Sequence, residues 1–183
     1  MRLDLAMAEA EGMTYLVLVQ ATPEEYEALH NSVFLPALDS FTPVESEATP
    51  EAVPYRVEDV TFENGDVTLA GTLTLPPSEG AHPVVVLVSG TGPQDRDESF
   101  GGDIPIEPFR LLADALTREG IGVLRYDDRG VGGSTGNFST STVSDFATDA
   151  EAAIRYLLTR EEINPDEIGL IGHSEGGLVA AML

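Results

Sequence analysis

Gly172-His173-Ser174-Glu175-Gly176 is a G-x-S-x-G pentapeptide. The run Glu167–Ile171 before it reads as a buried strand, and Gly177–Leu183 after it as the start of an apolar helix. A serine on a sharp strand-to-helix turn is a nucleophile elbow. A serine hydroxyl is a weak nucleophile, so it needs a base and an oxyanion site before it can attack a carbonyl. The turn crowds the positions two before and two after the serine. Gly172 and Gly176 stand there, where a Cβ would clash. The turn also leaves Ser174 Oγ exposed and sets the Glu175 N–H at a helix N-terminus, where free N–H groups favour a developing oxyanion. The bland alternative is a glycine-rich turn, and the strand and helix on either side argue against it. His173 is not read as the base. Neighbouring residues on a strand point to opposite faces, so its ring is expected to pack beside the elbow. His82 and His30 lie elsewhere and are no better placed.

Two loops could complete such a site. Ser89–Glu98 leaves the apolar run Val84–Val88, and glycines 90 and 92 let its backbone approach a substrate. The Thr91 N–H is the expected second oxyanion donor. Asp95, Arg96 and Asp97 read as an ion-pair cluster that holds this loop, with substrate contact as the alternative. Asp127–Gly136 is also glycine-rich. It lacks dinucleotide-loop spacing, because Thr135 stands where the third glycine after Gly130 and Gly132 would fall. It reads as a tight, partly strained loop beside the site, and no cofactor or metal is expected.

These residues need elements to hold them. Tyr55–Glu63 and Val67–Leu75 alternate around Asn64-Gly65-Asp66, a hairpin signal. Val84–Val88 and Ile121–Tyr126 are apolar enough to be buried strands. Glu107–Glu119 is an amphipathic helix ending at Gly120, and a second runs from about Val143 to Thr159 with Ser144 as its expected N-cap. A hairpin followed by alternating strands and helices predicts an α/β fold, with a mostly parallel sheet and helices on both faces. Residues 1–40 differ. Thr14–Gln20 is strand-like, and Pro23-Glu24-Glu25 opens a helix with Tyr26, Leu29, Val33, Phe34 and Leu38 on one face. One strand and one helix bury little, so this stretch reads as the C-terminal remnant of a small α+β accessory domain. Residues 41–54, with three prolines and three glutamates, read as a linker. Residues 55–183 form the main domain.

From Tyr55 to Leu183 the chain resembles the α/β-hydrolase superfamily. Three segments carry the resemblance. Ser89–Glu98 is similar to the H-G-S-G-P-Q-D-R-D-E loop of bacterial carboxylesterases akin to esterase D, with Ser89 where that pattern has histidine. Tyr126–Gly136 resembles the D-x-R-G-x-G-x-S segment of the superfamily, and Gly172–Gly177 its G-H-S-x-G-G elbow. The resemblance implies the N-terminal half of an α/β-hydrolase fold and an acyl-enzyme route on a small ester or acyl substrate. Ser174 is then the nucleophile, and the N–H groups of Thr91 and Glu175 hold the oxyanion. Serine peptidases, thioesterases and acyltransferases are near neighbours. The departure at Ser89 keeps the backbone N–H but removes a histidine that would brace the loop.

In this superfamily the triad acid and base follow the nucleophile, and only nine residues follow Ser174. Asp127, Asp128 and Asp149 precede it, so no residue here is assigned as base or orienter. The chain therefore reads as a fragment, inactive alone, with an open apolar sheet edge. A non-catalytic remnant or binding module is the alternative of a different class. Composition excludes other chemistries. The net charge is −23 and all nine basic residues are arginine, a surface that repels nucleic acid. Without lysine there is no Walker A loop or Schiff base, and without cysteine no thiol nucleophile or disulfide. No apolar run reaches membrane-spanning length, and Met1–Leu5 is not a signal peptide. The acidity fits a high-salt or exported setting, or codon bias. Localisation and oligomeric state are left open.

Overall fold

The computed structural model describes residues 2–10, 13–40, 53–100 and 106–183. The chain divides into two compact units, Met1–Glu51 and Ala52–Leu183. The linker expected at 41–54 lies outside the described residues except for its last two.

In the first unit, β1 (Arg2–Ala10) pairs antiparallel with β2 (Met13–Ala21). The sequence pattern predicts only β2. The alternation in β1 is masked by its acids and alanines, and pairing with β2 supplies what local propensity does not. The helix that follows is interrupted. α1 (Tyr26–Leu29) runs into a π-turn at His30–Phe34 and then α2 (Leu35–Ser40). The π-turn inserts a residue into the helical repeat, so Phe34 is buried while Val33 of the expected apolar face is exposed. His30 stacks between Tyr26 and Phe34.

In the second unit, β3 (Arg56–Asn64), β4 (Val67–Leu75), β5 (His82–Val88), β6 (Gly122–Tyr126) and β7 (Ile163–Gly172) form one sheet in the order β3-β4-β6-β5-β7. Asn64 faces Val67 across a two-residue turn whose Gly65 has φ +62, a conformation that favours glycine. β4 also pairs antiparallel with β6, while β5 pairs parallel with both β6 and β7. The hairpin thus leads into a parallel portion, as expected. Of the parallel strands, β5 and β6 sit in the interior of the sheet, where both faces are apolar. Leu73, Val84, Val86 and Leu124 pack towards Ala150, Ala153 and Leu157 of α4 (Val143–Leu157). Leu87 and Val123 face Phe109 and Ala113 of α3 (Pro108–Arg118) on the other side.

Two local details differ from expectation. α4 is capped by Thr142, not Ser144. Thr142 has extended backbone, its N–H donates to Asp145 Oδ2 at 2.8 Å and its Oγ1 accepts from the Asp145 N–H at 3.3 Å, a reciprocal capping box. The second concerns the burial of β7: its apolar run reads as buried, yet the strand is the open apolar edge that the fragment reading expects, so Ile168 and Leu170 are half-buried and Ile171 is exposed.

Candidate active site

β7 ends at Gly172, and α5 (Glu175–Ala180) begins three residues later. Ser174 lies between them with φ +51 and ψ −112, and it is exposed. A non-glycine residue in that region is strained and persists only where its surroundings hold it. Here two glycines supply the hold. A Cβ on Gly172 would overlap the backbone of Gly176, and one on Gly176 would overlap the carbonyls of Val88 and Ser89. The turn is therefore wedged against the end of β5, where the His173 N–H donates to the Val88 carbonyl at 3.0 Å.

The loop after β5 closes over the same point. Gly90 approaches so near that a Cβ on it would lie 3.4 Å from Ser174 Cβ. Thr91 Oγ1 donates to Glu175 Oε2 at 3.2 Å, which ties the two residues expected to supply oxyanion donors. Among the described residues, neither the Thr91 N–H nor the Glu175 N–H has a hydrogen-bond acceptor. α5 spans only six residues, so the turn offers free N–H groups rather than a long helix dipole.

Buried acids fasten the loop to the sheet. Ser89 Oγ donates to Asp128 Oδ1 at 2.8 Å, and the Gln94 N–H donates to Asp128 Oδ2 at 3.0 Å. Ser89 thus braces the loop itself, although the loss of histidine there predicts a missing brace. Burial pushes the Asp128 carboxyl up to about 6. The Gln94 and Ser89 hydrogen bonds oppose the rise, and the charges of Asp149 and Glu98 add to it. The expected cluster of Asp95, Arg96 and Asp97 does not pair with itself. Arg96 forks onto Asp127 through Nε and Nη2 at 3.0 and 2.8 Å, Asp97 pairs with Arg125 of β6, and Asp95 Oδ1 accepts from the N–H groups of Asp97 and Ser99. Burial alone would raise the Asp127 carboxyl, but hydrogen bonds from the Arg96 side chain and from the Gly133 and Arg96 N–H groups hold it below the ordinary value. Asp149 is taken by Arg129 at 2.6 Å. All three aspartates that precede the elbow therefore have structural partners.

His173 departs from expectation. Its ring is not packed. It is 64% exposed, and Nδ1 lies 3.0 Å from Glu98 Oε1. The same oxygen accepts the Gly90 N–H at 2.5 Å. Sequence reasoning misses this contact and the Ser89–Asp128 pair, because the partners are 75 and 39 residues apart and no spacing rule joins them. Among the described residues no cluster of three acids or histidines could hold a metal, and no helix is long and apolar enough to cross a membrane.

Comparison with known proteins bears on this arrangement. The family model described as "Serine aminopeptidase, S33" matches residues 106–183, the stretch that ends in the elbow. Over 130 residues the chain is 33% identical to esterase EstD of Thermotoga maritima, covering 69% of this chain and 30% of the esterase. The solved α/β hydrolase GrgF of a Penicillium species aligns at TM-score 0.56 and 26% identity over 68% of this chain. The chain belongs to the α/β-hydrolase superfamily. An esterase of Pyrococcus furiosus aligns likewise, at TM-score 0.54 and 26% identity over 77% of this chain. The chain spans 39% of the GrgF chain and 49% of the Pyrococcus one, so it carries roughly the first half of the hydrolase fold.

Proposed function

We propose that the protein is a serine hydrolase acting on carboxylic esters of small acyl groups, with Ser174 as nucleophile. The observation that carries this reading is the strained Ser174, at φ +51 between two glycines that admit no Cβ. Ser174 Oγ attacks the ester carbonyl, and its proton passes to a base that no residue of this chain is assigned to supply. The N–H groups of Thr91 and Glu175 receive the carbonyl oxygen as it becomes an oxyanion. Collapse expels the alcohol, which takes up the proton and leaves an acyl-Ser174. Water then attacks that ester, and the acid departs as the Ser174 hydroxyl is restored. The names of EstD and the Pyrococcus protein favour ester substrates. The aminopeptidase family model favours a second reading, hydrolysis of an N-terminal peptide bond by the same serine.

The test uses full-length protein and a fluorophosphonate probe. Ser174 becomes phosphonylated, and Ser174→Ala abolishes the adduct. An unlabelled Ser174 in folded full-length protein overturns the reading and favours a non-catalytic module. Short-chain aryl esters assayed beside aminoacyl anilides separate esterase from peptidase.

A further inference from the structure

Glu98 is a buried carboxylate, 7% exposed, held at φ +50 without being glycine. Its own turn supports that strained backbone, since the Glu98 N–H donates to the Asp95 carbonyl at 3.0 Å. Among the described residues no arginine pairs with it. Its Oε1 instead makes hydrogen bonds to two different elements. One is the Gly90 N–H, in the loop that carries Thr91, at 2.5 Å. The other is His173 Nδ1, in the turn that carries Ser174, at 3.0 Å. Among the described residues no other side chain hydrogen-bonds both the loop backbone and the elbow.

We propose that Glu98 is a positioning residue that sets the distance between the oxyanion loop and the nucleophile turn, through Gly90 on one side and His173 on the other. The proposal rests on the reading of Ser174 as nucleophile. Glu98 occupies the Gly90 N–H, while the adjacent Thr91 N–H stays open. Its grip on His173 keeps the elbow from sliding along the end of β5. Thr91 Oγ1 and Glu175 Oε2 make a second side-chain link between these segments, and that link is exposed. What matters at position 98 is therefore the reach of an acceptor oxygen and not its charge.

Reach and charge can be separated by substitution. Glu98→Gln keeps the length and an acceptor oxygen but loses the charge. Glu98→Asp keeps the charge but is one methylene too short to serve both partners. In full-length protein the phosphonylation of Ser174 is measured against fluorophosphonate concentration, which separates the maximal rate from half-saturation. Glu98→Gln is expected within about 3-fold of wild type, while Glu98→Asp and Glu98→Ala lose about 10- to 100-fold in maximal rate with half-saturation little changed, the size of effect expected from misplacing a reacting group by about 1 Å. If Glu98→Ala does not fold, the other two decide. Glu98→Asp as fast as wild type, or Glu98→Gln no faster than Glu98→Asp, overturns the proposal. Wild-type protein that does not label at all overturns the nucleophile reading instead.

Discussion

Asp128 is a buried acid with no ion pair among the described residues, and it grips both ends of the loop from Ser89 to Gln94. Its folded-state value of about 6 lies above the ordinary 3.8, so the native state binds this proton more tightly than the unfolded chain does. The sign of the linkage follows. Stability from this group is highest below about 3.8, falls as pH rises through 6, and stays reduced above that. At neutral pH the ionised form costs about 1–3 kcal/mol, because each tenfold difference in proton affinity between the folded and unfolded chain is worth about 1.4 kcal/mol. Asn at 128 can accept from the Gln94 N–H and donate to Ser89 Oγ without ionising. Asp128→Asn is therefore expected to raise the melting temperature at pH 8, with the difference shrinking towards pH 4. A difference that does not change with pH would contradict this. Scanning calorimetry of the two proteins across that range is the measurement. The sharp strand–turn–helix around Ser174 and the crowding at Gly172 and Gly176 are legible in the sequence because that pattern is local. The roles of Asp128 and Glu98 are not, because their partners come from other loops.

Elements hold the site through their ends. α4 closes one face of the sheet and begins with the Thr142–Asp145 capping box. Losing such a cap costs about 1 kcal/mol, so Thr142→Ala is expected to lower the melting temperature by a few degrees while Ser144→Ala does not. Thermal melts of the pair check which residue is the cap. Ser144 is the plausible choice from sequence because serine is a good cap. The backbone decides otherwise, since Thr142 is the residue with extended φ and ψ, and Asp145 stands three residues after it. β7 shows the opposite balance. Its apolar run correctly marks a strand, but how far a strand is buried depends on its neighbours, and among the described residues it is paired on one side only.

At the scale of the molecule, the edge of β7, unpaired among the described residues, dominates. Ile171 is exposed there, Leu178 is 59% exposed on α5, and an apolar groove of about 550 Å³ runs between Phe109 and Leu112 of α3 and the end of β7. An unpaired apolar edge is a template for association. The 183-residue chain is therefore expected to self-associate with rising concentration despite its charge of −23, and Ile171→Lys to reduce that association. Analytical ultracentrifugation of both forms measures it, and a wild-type chain that stays monomeric would contradict it. The sequence by itself determined the order of strands and helices from Tyr55 onward, the hairpin at Asn64–Val67, the elbow with its two glycines, and the superfamily. Each of these is written in short-range pattern: apolar period, turn chemistry and local crowding. Only the tertiary structure decided that β1 exists, that Arg96 serves Asp127, that Ser89 and Gln94 share Asp128, and that Glu98 joins Gly90 to His173. Those contacts bring together side chains far apart in the chain, and a polar side chain's partner is chosen by burial and reach once the sheet has formed, not by its neighbours in sequence.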